Sequence, residues 1–173
     1  MDWSLLGFEG LWKVYNVHPA FVHFPVALLP SSFLLYLLGV LMRRRTLVTS
    51  GRSCLYLGFG GAAIAVLTGV LAEDTFPHGQ QVHRMIETHE AIGWTVLSLS
   101  LLLTVWSFWR ADGMPRHVWG FLGLLGVTSL LVLQNGDIGS RMVYLHGAAV
   151  KPAADSGSAQ HGQSEGSGHR HHH

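Results

Sequence analysis

The chain has 173 residues, a formal net charge of +1, 49% apolar and 12% charged residues, and a mean hydropathy of +0.31. It is long enough for one domain and too apolar for an ordinary soluble one. Its basic residues lie between apolar runs rather than along one face, which argues against a nucleic-acid partner, and its single cysteine, Cys54, allows neither an intramolecular disulfide nor a CxxCH haem-attachment site.

Residues 1–19 contain Asp2 and Glu9 and lack both a basic start and a continuous apolar run, so they make a poor signal peptide. Trp3, Leu6, Phe8, Leu11, Trp12 and Tyr15 suit an N-terminal interfacial segment. Ala20 to Met42 carries no acidic or basic residue except His23, and at helical rise it covers about 35 Å, enough for a tilted membrane crossing. Three similar runs follow, Ser53 to Ala72, Ala91 to Trp109 and His117 to Leu133. Between them lie a basic loop with Arg43, Arg44, Arg45 and Arg52, a second loop from Glu73 to Thr88, and a short turn at Ala111 to Pro115. Asn135-Gly136-Asp137 reads as a turn after the fourth run, with Ile138 to Val150 packing back on the same end of the molecule. From Lys151 onward the Gly, Ser, Ala and His composition predicts a disordered tail.

Backbone groups in lipid must be satisfied within each segment, so the runs are expected as helices, antiparallel where connections are short. The expected fold is an all-α integral membrane protein, a four-transmembrane-helix antiparallel bundle spanning 20–150, with the interfacial segment before it and the His-rich tail, 151–173, after it. Arg110 and Arg116 join the first-loop arginines on one side, whereas Lys13, Arg84, Arg141 and Lys151 are spread thinly on the other. The positive-inside rule then places both termini outside. Trp106, Trp109 and Trp119 would form an inner aromatic belt. Gly58, Ala62, Ala65 and Gly69, with Gly120 and Gly123, mark faces where helices or a flat ligand approach closely.

His18, His23, His78, His83, His89 and His146 all fall at the outer end of this pattern, and His117 at the other. An imidazole buried near a membrane face is costly unless it is hydrogen-bonded or bound to a metal. Pro25 and Pro30 deprive the Phe21 and Val26 carbonyls of their usual donors and favour a kink. His23 either lines a cavity there or bonds one of those carbonyls. His89 begins the third run, and Gly93, one turn further in, leaves room for a ring. His23 and His89 are therefore the best axial pair for a haem b held between the first and third helices. His146 could serve as substitute ligand, propionate partner or supporting donor, and His18 belongs to the same end. Arg141 and Arg84 could neutralise propionates or act as interfacial anchors. His78 and His83, among Glu73, Asp74, Glu87 and Glu90, suit Zn²⁺ or Cu²⁺ weakly or form a solvated loop. His161, His169 and His171 to His173 could hold Cu, Zn or Ni loosely, as a native tail or an appended tag. GxSxG, GxxxxGK and HExxH are all absent.

The stretch HPAFVHFP at 18–25, Leu67-Thr68-Gly69, His89, and Gly139 to Val150 with Tyr144, His146-Gly147 and Val150 resemble the bacterial four-helix membrane proteins grouped as domain-of-unknown-function family 2231. The likeness runs from about Val17 to Val150. It implies a small domain of the bacterial inner membrane, sometimes joined to or encoded near cytochrome c-like modules, with no settled activity. His18, His23, His89 and His146 match the family's polar positions. Three functions follow as expectations: single-electron transfer through haem b, with quinol or a periplasmic cytochrome c as partner; binding of Cu, Zn or Ni; or a non-catalytic role in a larger membrane redox complex or homo-oligomer.

Overall fold

Each apolar run folds as one unbroken helix in a computed structural model that describes residues 17–73, 80–109 and 117–145. They are α1 (His18–Leu41), α2 (Arg45–Glu73), α3 (Gln80–Phe108) and α4 (Val118–Tyr144). The interfacial segment before residue 17, the Ala111 to Pro115 turn, His78, His146 and the His-rich tail lie outside the described residues. All four helices are long and apolar enough to cross a membrane. At 24, 29, 29 and 27 residues they reach about 36–44 Å at helical rise, more than the roughly 30 Å hydrocarbon layer, so their ends project into the headgroup region.

That excess length corrects three sequence expectations. Helix α2 starts at Arg45 rather than Ser53, and α3 takes in residues 80–88 of the expected loop. The Asn135-Gly136-Asp137 turn is absent, because α4 continues through it to Tyr144. Hydropathy locates the part of a helix that meets lipid, whereas the helix itself continues wherever its backbone bonds and its packing do.

The helices run up, down, up, down and pack in a ring, α1 on α2, α2 on α3, α3 on α4 and α4 on α1. Each turns a seam inward with steps of three and four, the knobs-into-holes pattern of left-handed bundles. In α1 the seam is Pro25, Leu29, Ser32, Tyr36 and Gly39; in α2 it is Val48, Gly51, Leu55, Gly58, Ala62 and Ala65. Helix α3 contributes Val96, Ser100, Leu103 and Ser107, and α4 contributes Phe121, Leu125, Thr128 and Val132. Without a hydrophobic force between helices in lipid, close packing of small residues against large ones does the holding. Gly58 sits under Leu29 and Gly51 under Tyr36, where an added Cβ would come within 2.9 Å of each side chain. Gly120 and Gly123, expected to pack likewise, have no side chain nearer than 4.0 Å.

Two hydroxyls tie the frame together at the end opposite the histidines. Tyr36, fully buried, shares a 2.9 Å hydrogen bond with Ser107 across the bundle diagonal, and Ser32 donates to the Gly51 carbonyl at 2.8 Å. Trp106 packs edge-on against Phe121, ring centres 5.8 Å apart, so it belongs to the interior rather than to the aromatic belt expected of it. Trp109 and Trp119 do face outward, 83% and 65% exposed. The α1–α2 connection is a tight Schellman turn in which the Arg44 N–H reaches the Gly39 carbonyl at 2.9 Å and that of Arg43 reaches Val40 at 3.3 Å. It forces Arg43 to φ 55°, a conformation that glycine usually supplies.

Candidate functional site at the histidine end

The same seams, followed to the other end of the bundle, bring two histidines onto its axis. Counting back from Pro25 in steps of three and four reaches His18 at the first position of α1, and counting back from Val96 reaches Gly93 and His89 in α3. Their rings lie 6.1 Å apart between centroids, inclined at 78°. Helices α1 and α3 are diagonal neighbours, so these side chains meet across the middle of the bundle.

Each ring is oriented by a backbone carbonyl. His18 Nδ1 is 2.8 Å from the Ala65 carbonyl oxygen and 3.3 Å from Thr68 Oγ1, and His89 Nδ1 is 3.1 Å from the Asn135 carbonyl oxygen. A carbonyl can only accept, so in each neutral ring the hydrogen sits on Nδ1 and the lone pair on Nε2. Thr68 donates its own hydrogen to Ile64 at 2.8 Å, which leaves its oxygen able to accept from His18. A backbone acceptor fixing one ring nitrogen is the arrangement that prepares the other to bind a metal.

Glycines occupy the other diagonal. A Cβ on Gly69 of α2 would stand 3.1 Å from His18 Cε1, and one on Gly139 of α4 would stand 3.3 Å from His89 Cε1. The layer is therefore His18, Gly69, His89 and Gly139, with imidazoles opposite each other and glycines between them. One layer further in, the space left by Gly93 is bordered by Asn135 Nδ2 and Val66 Cγ2, each 3.7 Å from its Cβ position. Gly93 thus faces α2 and α4 one turn inside His89. Asn135 Oδ1 is buried with no hydrogen-bond partner among the described residues, an exception that calls for a reason in an interior where polar atoms are paired.

His23 stands apart from this layer. Five residues beyond His18, it lies about 140° around the helix, on an exposed face, and its Nδ1 donates to the Pro19 carbonyl at 2.6 Å. The structure brings His18, rather than His23, to His89. His23 does bond a carbonyl of its own helix, although that of Pro19 rather than Phe21 or Val26. His83 pairs with Glu87 at 3.4 Å on the surface of α3. Among the described residues no group of three or more His, Cys, Asp or Glu side chains converges as a metal site.

Arg84 and Arg141 line a cleft of about 410 Å³ between α3 and α4 together with Met85, Thr88 and Ile138. Arg84 is five residues from His89 and Arg141 two from Gly139, so both lie roughly 140–160° around their helices from the axis-facing positions. Arg141 also pairs with Asp137 at 2.8 Å.

Sequence reading missed Thr68, the Ala65 carbonyl, Asn135 and Gly139 as parts of this layer. The signal available for Gly139 and Asn135 was the spacing of the α4 seam back through Val132, masked by the turn-like Asn-Gly-Asp string.

A family model described as a predicted membrane protein, DUF2231, matches residues 15–152. No curated protein and no solved structure matches the chain.

Proposed function

The chain belongs to the DUF2231 family of predicted membrane proteins, and from that premise we propose that it is a b-type cytochrome-like protein in which His18 and His89 would hold the haem. The observation that carries this reading is the pair of carbonyl-oriented imidazoles on one bundle diagonal with glycines on the other. The two rings meet edge to face with their centroids 6.1 Å apart, close enough for both imidazoles to hold one bound group. Haem would supply a one-electron couple, its potential set by the imidazoles that hold it, burial and nearby hydrogen bonds. The Ala65 and Asn135 carbonyls hold the imidazole tautomers; His146 remains a candidate supporting donor. Quinol or a periplasmic cytochrome c is the natural exchange partner for such a site. The arginine bias supports a site at the outer face of the membrane, and a bacterial inner membrane with both termini on the periplasmic side is part of this proposal.

A bare Cu, Zn or Ni ion is the second reading, because two neutral imidazoles suit those ions without any macrocycle. It would need further ligands from water, His146 or the tail. The experiment is an oxidised-minus-reduced visible spectrum of detergent-purified protein expressed with haem supplied, with metal analysis on the same sample. A Soret band with sharp reduced α and β bands, lost in His89→Ala, supports the cytochrome reading. Stoichiometric metal without a Soret band transfers the site to the ion. A folded protein with neither refutes both and leaves a non-catalytic subunit of a larger membrane complex.

A further inference from the structure

The Arg84–Arg141 cleft shares no lining residue with the histidine layer, and its own chemistry specifies a ligand. It is about 410 Å³ and is lined by Arg84, Met85, Thr88, Ile138 and Arg141, a volume within the range of small-ligand sites. Arg84 and Arg141 are exposed, whereas Met85 and Ile138 are half-buried. Arg84 lies seven residues before the apolar run that begins at Ala91, and Arg141 eight residues after the run that ends at Leu133. Both Cα atoms therefore stand about 10–12 Å beyond the apolar stretches, at a height from which long side chains reach the headgroup layer.

The cleft is graded along the membrane normal. Of the lining residues, Arg84 and Arg141 stand outermost on α3 and α4, with Thr88 one turn further in on α3 and Ile138 one turn further in on α4. Met85 completes the apolar wall. Asp137 engages Arg141, but no ion pair of Arg84 occurs among the described residues. Arginine's planar fork matches a phosphate in two-point contact. Because Asp137 balances only Arg141, the arginine pair keeps a net positive charge, which favours a net-anionic headgroup over a zwitterionic one.

We propose that the cleft between α3 and α4 is a binding site for the phosphodiester headgroup of an acidic bilayer phospholipid, held by Arg84 and Arg141, with Met85 and Ile138 against its glycerol backbone. The lipid joins the cleft from the leaflet at the histidine end.

The test uses the full chain in detergent, titrated with phosphatidylglycerol, phosphatidylcholine or inorganic phosphate and read by native mass spectrometry. Phosphatidylglycerol is expected to be retained over phosphatidylcholine, and Arg84→Gln to weaken that retention about fivefold. Arg52→Gln, at the opposite end of the bundle, is expected to leave it unchanged. The proposal is overturned if Arg84→Gln and Arg52→Gln weaken retention equally, or if both lipids are retained alike. It is also overturned if inorganic phosphate displaces phosphatidylglycerol at equal concentration, which would make the cleft a soluble-anion site. Because the readout is lipid mass, it stands or fails whether or not the histidine layer holds haem.

Discussion

Gly60 and Gly61 are adjacent in α2, and their replacement by alanine should move stability in opposite directions. A Cβ at Gly61 would lie 2.6 Å from Phe24 Cβ and 3.1 Å from Pro25 Cδ, whereas one at Gly60 meets nothing within 4 Å. The obstacles at Gly61 are a Cβ and a proline ring, neither of which can swing aside, so α1 and α2 must part by several tenths of an ångström. Overpacking of this kind costs about 1–3 kcal/mol, and replacing a helical glycine by alanine returns about 1 kcal/mol. Gly61→Ala should therefore lose up to about 2 kcal/mol and Gly60→Ala should gain up to about 1 kcal/mol. Reversible unfolding of the detergent-solubilised protein in increasing SDS, followed by far-UV circular dichroism, measures the difference. Equal midpoints for the two variants would refute the claim that α1 and α2 are held by close backbone approach.

Other substitutions probe the remaining contacts. Gly69→Ala presses a methyl group on the His18 imidazole; under the haem proposal it should lower the Soret absorbance per protein, with little change in the SDS midpoint. Tyr36→Phe removes the buried bond to Ser107 and should cost about 0.6 kcal/mol, the usual worth of an interhelical hydrogen bond in a membrane, read by the same unfolding assay. Arg43→Gly relieves a left-handed backbone and should stabilise by up to about 1 kcal/mol, net of the added freedom of the unfolded chain; a lower midpoint would contradict the turn geometry.

The number and order of the spans were legible because runs such as Ala20 to Met42 lack charge over a membrane's width. Their ends were not, since residues such as Arg45 to Arg52, Arg84 to Glu90 and Asp137 to Arg141 are charged yet helical, and hydropathy responds to lipid contact alone. Asn135-Gly136-Asp137 carries the local chemistry of a turn, but packing overrides it: Gly136 lies against Val26 and Gly139 against His89, contacts that exist only if α4 runs on. The histidine end and His89 could be read from position along the chain. The choice between His18 and His23 could not, because it depends on helix phase, and the prolines drew attention to His23. The phase of α1 is fixed by its partner: Gly51, Gly58, Ala62, Ala65 and Gly69 form a small-residue seam whose last member meets His18.

The direct test of the shared His18–His89 layer is the reduced-minus-oxidised spectrum of His18→Ala beside that of His23→Ala, each expressed with haem supplied and matched for folded protein. The paired-imidazole account predicts that His18→Ala loses or shifts the low-spin α and β bands while His23→Ala retains them. Loss in His23→Ala with retention in His18→Ala would contradict it, because His23 would then have to turn from its exposed face toward the axis.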